Sequence, residues 1–101
     1  MKIALITAVA SYKKEIQHLL KKAQVKTYSY REVTGFKDLS DEALASNWFG
    51  SEMHENESIS FYAFVNKENV DMLFEAIHKF NESLETRSKV HLATFNIEKY
   101  I

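Results

Sequence analysis

The 101-residue sequence has no cysteine, no proline and only two glycines, where ordinary usage would supply about five prolines and seven glycines. Without cysteine there is no disulfide scaffold, no cysteine-based zinc site, no iron–sulfur cluster and no thiol catalysis. Two glycines, fifteen positions apart at Gly35 and Gly50, cannot form a phosphate cradle, so P-loop and Rossmann fingerprints are excluded. No apolar run reaches the about 18 residues that a bilayer crossing needs, so no membrane insertion is expected. An excess of one charge is also missing. Thirteen basic residues face fourteen acidic ones, a net charge of -1, which argues against nucleic acid as a partner. The start, Met1-Lys2-Ile3-Ala4-Leu5-Ile6, lacks the small-residue cleavage site of a signal peptide and enters a strand pattern at once, so a cytoplasmic location is expected.

What remains is ordinary globular material, 46% apolar and 27% charged. It suits one domain over residues 1–101 with a single two-layer core. Lys2 to Ala10 is almost wholly apolar and reads as a strand in the middle of a sheet. Ser11 can cap a helix on which Tyr12, Ile16, Leu19, Leu20 and Ala23 share a face, with Lys13, Lys14, Lys21 and Lys22 opposite. Val25 to Phe36 is rich in β-branched and aromatic residues and reads as the second strand. In the third, Ile59, Phe61, Ala63 and Val65 alternate with Ser60, Tyr62 and Phe64. A second helix from about Asn66 aligns Val70, Leu73, Phe74, Ile77, Phe80 and Leu84, and Val90 to Ile97 closes the chain as a strand.

The order β-α-β-β-α-β predicts an α+β, ferredoxin-like sandwich: a four-stranded antiparallel sheet with two right-handed crossovers and both helices on one face. The other face would carry part of Tyr28, Tyr30, Tyr62, Phe64, His91 and Phe95, depending on register. So large an aromatic face calls for cover by another subunit.

A long loop, residues 37–57, separates the second and third strands, and loops of this length are usually functional or disordered. Ser40 as N-cap and Leu39 with Leu44 as a hydrophobic staple suggest one or two helical turns from Asp41 to Asn47. Asp38, Asp41, Glu42, Glu52, Glu55 and Glu57 against Lys37 give it a net charge of -5 (six acidic minus one basic). Trp48 and Phe49 either fold back as a lid on the core or anchor a partner.

Tyr30-Arg31-Glu32-Val33-Thr34-Gly35-Phe36 resembles the E-V-x-G-F/Y signature with which PII signal-transduction proteins end the second strand and open their T-loop. Val70-Asp71-Met72-Leu73-Phe74-Glu75-Ala76-Ile77 is similar to that family's second helix, and Asn96-Ile97-Glu98 to its closing P-V-E. The resemblance covers nearly the whole chain. It implies a homotrimeric regulatory protein whose sheets line the centre. It also implies an effector cleft between subunits, to which Ser29, Gly35, Phe36, Lys37, Tyr62, Phe64 and Lys89 correspond. Asn47-Trp48-Phe49 looks like a PII-like subgroup associated with cation-efflux transporters, which implies a membrane transporter as protein partner through Trp48 and Phe49.

The chain departs from the family where nucleotide is held. The glycine-rich loop after the second helix is replaced by Asn81-Glu82-Ser83-Leu84-Glu85-Thr86-Arg87-Ser88-Lys89. Cβ atoms and two carboxylates there argue against ATP or ADP binding in the usual manner. Tyr62 stands where the family has an acidic residue near the adenine, the basic C-terminal tail is missing, and the loop lacks the tyrosine that the family uridylylates. The sequence names no effector.

The alternative is a CutA-like divalent-metal protein using His54, Met53 and Glu55, whose imidazole, thioether and carboxylate can bind copper or zinc; a solvated acidic loop accounts for the same residues. His91 points either to the trimer centre, as a threefold site on the axis, or into the helix layer. His18 and His78 read as surface residues, and Asp71 and Glu75 with Lys67 and Lys79 as a charged helix face. No catalytic constellation is present, so the protein is not expected to be an enzyme.

Overall fold

The computed structural model describes residues 1–36 and 55–101, with only the backbone at 55 and 56. Strand β1 (Lys2–Val9) is followed by a 3-10 turn (Ala10–Tyr12) and helix α1 (Lys13–Lys22). Strands β2 (Ser29–Phe36) and β3 (Glu55–Val65), helix α2 (Lys67–Ser83) and strand β4 (His91–Asn96) complete the order. The sheet is antiparallel throughout, in the order β2-β3-β1-β4. The expected ferredoxin-like sandwich is the observed fold.

Register explains which residues are core. Ala4 faces Ala63, Ile6 faces Phe61 and Ala8 faces Ile59 across β1 and β3, and all six are buried. Directly paired residues share a face, so these define the side covered by helices. Ile16, Leu19, Leu20 and Ala23 of α1, with Leu73 and Ile77 of α2, complete the same buried cluster. Four of the six stripe residues expected inward on α2 reach less far: Val70, Phe80 and Leu84 are half-buried and Phe74 is exposed.

Three boundaries differ from expectation. Ser11 caps nothing, because the 3-10 turn places Tyr12 at the N-cap of α1 and no side chain bonds there. β2 starts at Ser29 instead of Val25, because α1 ends in a chain reversal. Val25 N–H donates to the Leu20 carbonyl at 2.9 Å and Gln24 N–H to the Lys21 carbonyl at 3.0 Å, the paired bonds of a Schellman motif. Gln24 takes the left-handed conformation there, φ 64°. β3 begins at Glu55, earlier than Ile59, since Phe36 and Glu55 are still paired. The expected helical turns of Asp41 to Asn47 and the residues Lys37, Trp48, Phe49, Met53 and His54 lie outside the described residues, as does the side chain of Glu55.

The connection between α2 and β4 is held by side chains where glycines are lacking. Asn81 donates through Nδ2 to the Val90 carbonyl and accepts from the Val90 N–H, both at 2.8 Å. Tyr12 packs edge-on against Phe80, ring centroids 5.7 Å apart. Its hydroxyl lies 3.0 Å from Thr86 Oγ1 and donates to the Ser88 carbonyl at 3.3 Å.

Candidate effector site

The face away from the helices carries Ile3, Phe64 and Phe95 in one row across β3, β1 and β4, and Ser29, Tyr62, Leu5 and Ala93 in the next. Tyr62, Phe64 and Phe95 remain 42%, 60% and 52% exposed. Tyr28 and Tyr30 are not on this face. Tyr30 pairs with Phe61, and the rings of Tyr28 and Tyr30 lie 5.6 Å and 5.3 Å from that of Phe61, so both join the helix side at the β2 edge. His91 pairs with Thr7, which places it on the open face and excludes the helix layer.

Further along, this face turns polar. Arg31, Ser60, Thr7 and His91 form one cross-strand row, and Ser58 follows beside Val33 and Val9. Ser58 Oγ is fully buried without a hydrogen-bond partner among the described residues.

Of the residues expected to line the effector cleft, Ser29, Tyr62 and Phe64 come together. With Ile3, Thr27, Tyr28 and Ala63 they line a mostly apolar hollow of about 320 Å³. Gly35 and Phe36 lie at the far end of β2, on the order of 20 Å from Ser29 at about 3.3 Å per residue. There Gly35 is buried, Phe36 is 64% exposed, and Glu32, Val33, Thr34 and Glu57 line a shallow recess of about 300 Å³. Lys89 precedes β4, whose first residue pairs with Thr7 near the end of β1, and so belongs to that same end of the sheet. Its ammonium donates to the carbonyls of Asn81 at 3.1 Å and Leu84 at 3.0 Å. It caps α2, where the negative end of the helix dipole favours a cation, and one N–H of its three is left for another acceptor. Of the expected site residues, Ser29, Tyr62 and Phe64 thus lie toward one end of edge strand β2 and Gly35 and Phe36 at its other end, while Lys89 sits beside β4, the opposite edge of the sheet.

Thr27 and Tyr28 were not legible as lining residues, although both directly precede Ser29. Lys13 Nζ stands 4.5 Å from the centroid of the Tyr30 ring. A hydrogen bond to the Tyr30 hydroxyl, with the charge of that same group, holds the lysine pKa above its ordinary value. His18 and His78 are exposed, His78 facing Glu82 at 3.4 Å, and Glu75 pairs with Lys79 at 3.0 Å, the expected solvated helix face. Among the described residues no three His, Asp or Glu side chains are grouped to hold a metal ion, and no helix is long and apolar enough to cross a membrane.

No family model matches the sequence, and no curated protein matches it. Solved structures do. CPII of Thiomonas intermedia K12, a nitrogen regulatory PII-like protein bound to ADP, AMP and bicarbonate, superposes with a TM-score of 0.64 at 21% identity, over 99% of this chain and 94% of that one. The GlnK–ATP complex of B. subtilis gives 0.63 at 15% identity over 93% and 80%. A PII-like signaling protein of Thermus thermophilus gives 0.60 at 17% identity over 95% and 85%.

Proposed function

We propose that this chain, which has the fold of the PII-like proteins, is a regulatory protein rather than an enzyme. It assembles as a homotrimer through its open sheet face and takes a small effector in clefts between subunits. The observation that carries this reading is the split of the site. Ser29, Tyr62 and Phe64 surround one hollow, while Gly35 and Phe36 stand at the other end of β2. Two chains joined head to tail would bring one half of each together, and a cyclic assembly satisfies every half-site. The exposed Tyr62, Phe64 and Phe95 supply the apolar area for such an assembly.

The effector is an adenine nucleotide, alone or with bicarbonate, the ligands carried by the CPII and GlnK structures. It is held differently from a glycine-loop site: the apolar hollow beside Tyr62 and Phe64 takes the base. The remaining N–H of Lys89 and Lys37, which the resemblance assigns to the cleft, supply the cations for the phosphates. Segment 37–57, net charge -5, presents Trp48 and Phe49 to a protein partner, a membrane transporter.

Native mass spectrometry and calorimetry with ADP, AMP, ATP and bicarbonate test this. The expected result is a trimer whose nucleotide affinity falls on Tyr62→Ala. A monomer, or a trimer that binds none of the four, would overturn it. Deleting Asp41 to Met53 should leave the trimer and its ligand binding intact while abolishing capture of the partner; unchanged capture would remove the segment's role.

A further inference from the structure

We propose that the trough between α1 and residues 24–28 is a docking site for an extended, acidic peptide segment of a partner protein. Lys14, Gln17, His18 and Lys21 fall at i, i+3, i+4 and i+7 and so share one stripe of α1. The left-handed Gln24 then reverses the chain, which brings Val25, Lys26 and Tyr28 alongside that stripe. The two walls enclose an open trough of about 810 Å³. Every charged side chain lining it is basic, and Lys14, Lys21 and Lys26 are exposed.

The charge is concentrated here against the balance of the molecule. Residues 13–26 hold Lys13, Lys14, Lys21, Lys22 and Lys26 against Glu15, five minus one, or +4. The whole chain is -1, so the remainder carries -5. Segment 37–57 alone accounts for that -5, so the other residues outside the trough sum to zero, and a bilayer or a nucleic-acid strand, which needs an extended basic surface, finds none beyond the trough. A ligand confined to the trough needs none there, because charges more than about 8 Å away are largely screened at physiological salt. The Lys14–Lys21 stripe is about 10 Å long at 1.5 Å per residue, which matches three residues of extended chain. Tyr28 and Val25 add an apolar wall, and Gln17 and Gln24 add amide donors for backbone carbonyls. The trough opens on the helix side of the sheet, so cover over Phe64 and Phe95 leaves it accessible. This inference does not depend on the trimer or on the effector.

The test is fluorescence anisotropy of a fluorescein-labelled octaglutamate peptide with the full chain. Saturable binding that weakens as salt rises is expected. The triple variant Lys14→Glu, Lys21→Glu, Lys26→Glu should weaken it by about tenfold or more, since three contacts are reversed in sign. The triple variant Lys67→Glu, Lys79→Glu, Lys99→Glu, with the same change of net charge, should weaken it by about threefold at most. Circular dichroism establishes that both variants fold. Equal loss in the two triples, or no saturation, would overturn the proposal. So would tighter binding to phosphatidylserine vesicles or to octathymidylate than to the peptide.

Discussion

Phe95→Ser isolates the open sheet face from everything else. Phe95 lies on that face beside Ile3 and outside both the helix-side core and the effector hollow. A phenylalanine presents about 200 Å², so 52% exposure leaves about 100 Å². Covered by another subunit at about 25 cal/mol per Å², that area contributes about 2.5 kcal/mol per chain, or about 7.5 kcal/mol over three chains. Sedimentation velocity across a micromolar dilution series measures the effect. The wild type should sediment as a trimer throughout, whereas the variant should dissociate at concentrations where the wild type does not. Its circular dichroism should match the wild type, because no core contact is lost. A wild-type monomer, or a variant that stays trimeric at every dilution, would refute the reasoning about this face.

Gln24→Gly should raise stability by about 0.5–1 kcal/mol, because φ 64° strains a residue with a Cβ and not glycine. Thermal unfolding should shift upward by a few degrees, and a fall would contradict the strain. Asn81→Ala leaves both backbone groups of buried Val90 without the side chain that pairs them. A loss of about 2–3 kcal/mol is expected, read as a melting temperature lower by roughly 10 °C or more. Tyr30→Leu should return the Lys13 pKa toward its ordinary value, measured by NMR titration of the lysine side chain. The sign is fixed by the raised value: the contact stabilises fully below the ordinary lysine pKa and is lost as pH climbs through the raised one.

The two helices and the alternating third strand were legible because their periods, 3.6 and 2, differ on the page as they do in space. Register was not, and register decides the faces. Tyr28 and Tyr30 belong to a sequence that looks the same whichever way its odd positions point, and only pairing Tyr30 with Phe61 turns them to the helix side. Ser11 reads as a cap by residue type, yet the chain reaches α1 through a 3-10 turn that uses Tyr12. Lys89 reads as a phosphate ligand by position in the resemblance, yet it also serves the end of α2, a contact no linear spacing reveals. The trough left one trace, the stripe Lys14, Gln17, His18 and Lys21. Its second wall depends on Gln24 adopting a conformation that propensity assigns to glycine.

The distance along β2 between Ser29 and Gly35 has a genetic consequence. In the proposed ring, a lesion at either end would spoil only the pockets to which that end contributes, so two defective chains would complement each other. In a ring built from equal shares of a chain crippled at Ser29 and one crippled at Gly35, about a quarter of the junctions unite two sound ends. Neither mutant alone has any.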